Sequence, residues 1–295
     1  EEIRNEGFEI KYTIDSFLVS DSSESISTTI GLTIVKFSSF WKENCDQFDV
    51  VFCLGDRFEM LAAVLSGVSF GIKFAHIHGG EKTLGAIDNV FRHSITHASH
   101  IHFASTEEYK NRIIQILDEP DRVYYTGALS LENLNLIQLL DINEFKLKWK
   151  IDLNYPTILL TFHPETVNSI LNITYLEEIA EAILSLDNFQ FLITMPNADT
   201  YGNRIRKQFE SKFQNCKNIF LVENLGTQSY FTAMKYSKLI VGNTSSGIIE
   251  AASFKKFVIN LGNRQAGRIV SSNIINIEIK KDLIIDAVNK VVSFG

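Results

Sequence analysis

The feature that most constrains this chain is a rhythm. Short runs rich in Ile, Val, Phe and Tyr alternate with longer segments of helical period. The runs are FEIKYTI at 8–14, DVVFCLG at 49–55, IKFAHIH at 72–78, HIHFAS at 100–105, RVYYTG at 122–127, TILLTFH at 157–163, FQFLITM at 189–195, NIFLVE at 218–223, KLIVGN at 238–243 and KFVINLG at 256–262. Their apolar residues fall on both faces, as in strands of a parallel sheet covered on each side. Helical patterns lie between them at 27–43, 57–69, 90–99, 106–117, 175–186, 204–213 and 247–254. This alternation predicts βαβ units and an α/β fold. The rhythm breaks once, between Gly127 and Pro156, where helix is expected but no strand. The break divides the chain into two Rossmann-like domains, 1–140 and 141–295, with a cleft between them. The opening residues EEIRNEGFEI read as the end of a helix running into a strand, so the chain is expected to start mid-fold, without the first strand of its first domain.

Composition narrows the function. A chain of 295 residues can bury two cores, and 45% hydrophobic with 21% charged residues suits a soluble protein. The net charge of -7 and the absence of a Lys/Arg block argue against nucleic acid or an anionic membrane as partner. No run approaches the ~20 apolar residues of a membrane span, and the N-terminus has no signal-peptide pattern. Cys45, Cys53 and Cys216 are too few and too scattered for a disulfide framework or a metal knot. A cytoplasmic location is expected.

In open α/β sheets, ligands sit at the carboxyl ends of the strands, and four groups of polar residues are expected there. The first is Gly55-Asp56-Arg57, where Asp56 can serve as general acid or base, or merely as the N-cap of the next helix. The second is His76-Ile77-His78-Gly79-Gly80-Glu81. Positions two apart in a strand share a face, so His76 and His78 are expected to point the same way, and the glycines permit a tight turn. Asp88 opens a helix in which Arg92 lies one turn on, close enough to pair with it. The third is His163 in FHPET, followed by Asn197 and Asp199 after the next run.

The fourth is Asn243-Thr244-Ser245-Ser246-Gly247 with Glu250. A buried run enters a turn of small residues and then a helix, whose free N–H groups and hydroxyls suit an anion. Glu250 is expected on the first turn, within reach of ribose hydroxyls, and Thr244 or Ser245 can cap the helix. Arg264 and Arg268 follow on a glycine-containing loop suited to a diphosphate. There is no P-loop lysine and no GxGxxG, so neither ATP hydrolysis of that type nor a nicotinamide cofactor is expected. His93, His97, His100 and His102 lie near the HxH pair but lack an acidic metal motif, so no metal is expected either.

Taken together, LGDRFE at 54–59, HIHGGE at 76–81, GAIDNVFRHSI at 85–95, TGALSLENL at 126–134, FHPET at 162–166, GNTSSGIIEA at 242–251 and INLGNRQAGR at 259–268 resemble the UDP-N-acetylglucosamine 2-epimerase family, most closely its hydrolysing branch. The resemblance implies the two-domain fold of the B-type glycosyltransferases and no cofactor. It implies elimination of UDP across C1 and C2 of the sugar, then addition of water to give free N-acetylmannosamine. By motif position it assigns Asp56, Glu81, Asp88, His76 and His78 to catalysis. Arg57, His163, Asn197, Asn243, Thr244, Ser245, Ser246, Gly247, Glu250, Arg264 and Arg268 would hold UDP. A homodimer or homotetramer is implied as well. Much of the family carries a catalytic glutamate at the position of His78, so that role passes here to His78 or Glu81. HIHGGE also suits relatives acting on 2,4-diacetamido-trideoxy UDP-sugars; a non-hydrolysing epimerase and a silent UDP-sugar-binding protein are the remaining alternatives.

Overall fold

The computed structural model describes residues 2–5, 7–16, 18, 22–167, 169–196 and 202–293. By internal packing the chain forms two units, residues 1–80 with 90–125, and residues 81–89 with 126–295. The second unit thus takes in nine residues from the first half of the sequence and begins at Thr126, ahead of the boundary at residue 140 that the sequence suggests.

In the first unit the elements are α1 (Glu2–Asn5), α2 (Ser23–Asn44), β1 (Val51–Leu54), α3 (Phe58–Val68), β2 (Phe74–Ile77), α4 (Asp88–Ala98, with its first two residues counted in the second unit), β3 (Ile101–Ala104), α5 (Glu107–Leu117) and β4 (Val123–Tyr125). The four strands form one parallel sheet in the order β1-β2-β3-β4. Its core gathers Trp41, Cys53, Leu61, Val64, Ile72, Phe74 and Ile95 under α2 and α3. Burial raises the Cys53 thiol to about 11, so it behaves as a core residue. The run FEIKYTI is not a strand, because it pairs with no described strand; Phe8 is 68% exposed, and Tyr12 instead packs edge-on against Phe40. Covering on both faces fails for β1 and β4, where Phe52, Leu54, Tyr124 and Tyr125 are exposed. Phe52, Phe103 and Tyr124 stack as a ladder across that face, with centroids 6.0 and 5.9 Å apart.

The second unit continues with α6 (Leu129–Leu136), α7 (Ile142–Trp149), β5 (Thr157–Thr161), α8 (Asn172–Ser185), β6 (Gln190–Thr194), α9 (Gly202–Phe213), β7 (Ile219–Val222), α10 (Gly226–Tyr236), β8 (Leu239–Gly242), α11 (Ser245–Ile249), β9 (Val258–Leu261), β10 (Ile274–Ile277) and α12 (Lys281–Val292). Its parallel sheet runs β10-β9-β8-β5-β6-β7. Strands β5, β6, β8 and β9 are buried throughout, and apolar clusters pack on both faces. Chain order proceeds outward from β5 through β6 to β7, and separately from β8 through β9 to β10. The direction therefore reverses between β5 and β8, and a topological switch point of this kind opens a crevice beyond the strand ends.

Candidate functional site

In the first unit, two turns carry the polar residues. After β1, Gly55 turns with φ +78, and helix α3 begins with Arg57 as its N-cap. Asp56 is therefore not the cap. Its carboxylate is bound instead by the guanidinium of Arg92, whose side chain is 1% exposed. Arg57 reaches Glu59 at 3.2 Å and lies over the Phe58 ring.

After β2, the strand stops at Ile77, and His78 takes φ +67. His78 accordingly lies outside the strand, so the shared strand face that alternation gives His76 and His78 in the sequence is not formed. His76 is fully buried, with Nε2 2.8 Å from the Gly55 carbonyl and Nδ1 3.1 Å from Thr96 Oγ1. Burial, assisted by nearby His102, Arg92 and His78, lowers its pKa to about 4, so the ring is neutral at pH 7. A carbonyl only accepts, so the single N–H sits on Nε2 and donates to Gly55, while Nδ1 faces the Thr96 hydroxyl, which itself donates to the Arg92 carbonyl at 3.0 Å. His76 is thus spent on holding the turn that presents Asp56, and His78 is the imidazole left half-buried at the strand end. Gly80 follows with φ +77, and a Cβ there would strike the Tyr109 carbonyl; its own carbonyl accepts from Arg112 Nη1 at 3.1 Å.

In the second unit, the loops after β5 and β8 meet at the switch point. His163 follows β5, and its backbone N–H and carbonyl are both bound by the Asn243 side chain, at 2.7 and 2.8 Å. That amide joins the ends of β5 and β8, which makes Asn243 a scaffold residue. Gly242 has φ +137 and lies so close to the Thr161 carbonyl that a Cβ has no space. Thr244 caps α11, its hydroxyl accepting from Ser246 N–H at 3.4 Å. Ser246 Oγ lies 2.7 Å from the Tyr230 phenol and 3.1 Å from Thr244 Oγ1. Burial raises the Tyr230 pKa, so the phenol keeps its proton. Ser245 is half-buried, and Gly247 lets β9 approach, with Val258 Cγ1 3.2 Å from a virtual Cβ. Glu250 is the C-cap of α11 rather than a first-turn residue, because the helix spans only five residues. So short a helix has little dipole, and what the turn offers is hydroxyls and N–H groups. Asn197 and Asp199 lie outside the described residues.

The segment 81–89 is stitched to the loops after β5 and β9. Glu81 forms an ion pair with Arg268 at 2.7 Å, with both side chains buried. Leu84 N–H donates to the Ala266 carbonyl at 2.9 Å, and Ile87 N–H to Thr166 Oγ1 at 2.8 Å. Gly85 lies against Asn263 and Arg264, where a Cβ would come within 2.5 Å of backbone. Asp88, half-buried, closes the segment as the first residue of α4. The sequence placed Glu81 in catalysis and Arg268 on UDP, whereas the fold brings them to each other.

The family model of UDP-N-acetylglucosamine 2-epimerase matches residues 1–294 of this sequence. The chain belongs to the UDP-N-acetylglucosamine 2-epimerase family. A GDP/UDP-N,N'-diacetylbacillosamine 2-epimerase (hydrolyzing) of Campylobacter jejuni is 37% identical over 92% of this chain and 71% of its own length. Polysialic acid biosynthesis protein P7 of Escherichia coli is 33% identical, over 97% of this chain and 73% of that protein. In fold, the chain is similar to a UDP-GlcNAc 2-epimerase from Neisseria meningitidis bound to UDP-GlcNAc, with TM-score 0.76, 20% identity, and 94% and 76% of the two chains covered. Its two parallel sheets are those of the B-type glycosyltransferase fold expected from the sequence. None of the described helices is long and apolar enough to cross a membrane.

Three supporting residues in this epimerase fold escape motif reading. Tyr230 lies on α10, a helix with no strong apolar period. Gln265 is 3% exposed and donates to the Asn243 carbonyl at 2.7 Å. Glu165 is 1% exposed, and its Oε1 accepts from Asn263 N–H at 2.6 Å, fastening the loop that carries Arg264. Only the position of Glu165 within FHPET hinted at a role.

Proposed function

We propose that this chain is a hydrolysing 2-epimerase that converts a UDP-2-acetamido sugar and water to UDP and the free sugar inverted at C2. The observation that carries the reading is the pair of turns after β1 and β2, joined through His76, which carry Asp56 held by Arg92 and the imidazole of His78. A carboxylate and an imidazole suit a reaction that needs a base at C2, an acid at the leaving diphosphate and a group to direct water, and motif position adds Asp88 as a second carboxylate. His76 keeps its proton on Nε2 and orients the Asp56 turn, so it positions rather than transfers. Glu81, engaged with Arg268, leaves His78 as the residue to serve where other members of the family carry a glutamate. On the second unit, Thr244, Ser245 and Ser246 offer hydroxyls to the diphosphate, with Arg264 as the cation. His163, held by Asn243, and Glu250 suit the nucleoside.

The step from sugar to glycal breaks the C2–H and C1–O bonds: the base takes the proton and the pair from C–H becomes the C1=C2 bond as UDP leaves. Water then adds across that bond, its hydroxyl to C1 and a proton to C2 on the opposite face. UDP-GlcNAc is the first substrate to test. A second reading, with a 4-acetamido-trideoxy sugar, is favoured by the names of the Campylobacter relative and of a Legionella pneumophila relative 32% identical to this chain, a UDP-N,N'-diacetylbacillosamine 2-epimerase (hydrolyzing).

Proton NMR in deuterated water, with each UDP-sugar in turn, tests both. Free inverted sugar bearing deuterium at C2, with UDP, is the expected result from one of them. Accumulation of the inverted UDP-sugar would instead assign the chain to the non-hydrolysing reaction. Binding of UDP without turnover of either sugar would point to a silent binding protein.

A further inference from the structure

We propose that Glu81 and Arg268 are a positioning pair that makes the segment bearing Asp88 and the loop bearing Arg264 move as one piece, so that grip on the diphosphate sets the place of the catalytic carboxylate. The inference deepens the reading above and rests on it for the roles of Asp88 and Arg264.

Four observations within the second unit converge. The ion pair is short and nearly dry, 2.7 Å with side chains 3% and 9% exposed. A carboxylate so placed gains fixed geometry from its partner, and a guanidinium binds it with directional N–H donors. Two hydrogen bonds from backbone N–H groups then run along the segment, from Leu84 to the Ala266 carbonyl and from Ile87 to the Thr166 hydroxyl. The third observation is steric. Gly85 presses on the backbone of Asn263 and Arg264, and Gly267 presses on the side chains of Lys82 and Leu84; neither has space for a Cβ without displacement. Finally, Thr83 N–H donates to Asn89 Oδ1 at 3.0 Å, which closes the segment on itself around Asp88. A nine-residue stretch anchored at its start, middle and end is not a free loop. Its far end is Asp88, and its anchors straddle Arg264.

This arrangement gives Glu81 and Arg268 roles distinct from those that motif position assigns. Glu81 takes no proton, and Arg268 faces a carboxylate rather than a phosphate. Removing either should therefore loosen Asp88 without deleting an acid, a base or a nucleotide ligand. Removing both should cost no more than removing one, since a buried pair lost together leaves no uncompensated charge.

The test is a double-mutant cycle on the full chain with Glu81→Gln, Arg268→Gln and the double variant. Turnover, UDP affinity by calorimetry, pH–rate profile and thermal transition are measured for each. The expected result is a kcat lower by about 10- to 100-fold in each single variant, with the double variant no worse than the weaker single. Both limbs of the pH–rate profile should persist, and UDP affinity should change by less than about threefold. Hydrogen exchange on the 81–89 peptide adds a readout independent of turnover: UDP should slow it in the wild type and not in Glu81→Gln. Loss of a pH limb in Glu81→Gln would make Glu81 an acid or base and overturn the proposal. So would multiplicative losses, or a collapse of UDP affinity in Arg268→Gln alone. A singly charged variant that does not fold is covered by the neutral double variant, whose UDP-slowed exchange at 81–89 should stay at the level of Glu81→Gln; wild-type slowing there would refute the coupling. If the wild type turns over neither sugar while UDP still slows exchange at 81–89 only with the pair intact, the reaction reading fails and the pair stands.

Discussion

Acidification should weaken the first unit through its buried histidines, and His76 allows the effect to be isolated. His76 has an ordinary value of 6.5 in the unfolded chain and about 4 in the fold, because burial removes water from the imidazolium. Between those values the unfolded state holds a proton that the folded state refuses. Stability is therefore whole above pH 6.5 and declines as pH falls, with the decline complete near pH 4. Each pH unit of difference is worth about 1.4 kcal/mol, so the full loss is about 3 kcal/mol and the loss by pH 5 about 2 kcal/mol. The matching variant is His76→Gln, whose amide can donate to the Gly55 carbonyl but cannot titrate. Urea unfolding is to be followed by the fluorescence of Trp41, which is 3% exposed in the same unit, in a Trp149→Phe background. His102 is also lowered to about 4, mainly by burial, so some slope should remain in the variant. The informative quantity is the difference between the two curves, which should narrow by about 3 kcal/mol from pH 7 to pH 4. Parallel curves across that range would show that His76 is not the buried neutral ring described, and the argument for its tautomer would fall with it.

Replacing Asp88 by Asn should lower kcat by about a thousandfold while leaving UDP affinity within about threefold, measured by UDP release and calorimetry. Tyr230→Phe removes the phenol beside Ser246 and should weaken UDP by about tenfold, readable in the same calorimetric titration. Gly242→Ala forces a Cβ into the Thr161 carbonyl at φ +137, and should cost at least about 3 kcal/mol in thermal or urea unfolding.

Much of the frame was legible because β-branched and aromatic runs in a parallel sheet must alternate with helices. The runs around Thr157, Gln190, Leu239 and Val258 became strands whose burial is complete. FEIKYTI misled because propensity without a neighbouring strand leaves backbone groups with nothing to pair to. β10 escaped because Ile274–Ile277 is a short run after a polar turn. α10 escaped because its buried residues include Ser229 and Thr232 beside Phe231, Ala233 and Met234, which blurs the apolar stripe. In the site, strand ends placed Asp56, His163 and Asn243 correctly along the chain. What no local pattern could supply were the partners: Arg92 for Asp56, Arg268 for Glu81, and the backbone of His163 for Asn243. Those depend on which distant segments the fold brings together. His78 differs, since the strand ends one residue before it and the alternation rule no longer applies to its side chain.

The membership of residues 81–89 in the second unit bears on how this protein can be taken apart. A gene fragment cut at residue 126 would encode the second unit without nine of its own residues. Arg268 would lose its counter-ion, the Ala266 carbonyl its donor, and the Thr166 hydroxyl a backbone partner. Chimeras that exchange C-terminal halves between relatives would keep the host's version of this segment against the donor's loops, with a mismatch at each stitch. A faithful graft must carry two separate stretches of sequence, 81–89 and 126–295, and a faithful split protein would need that peptide appended through a linker.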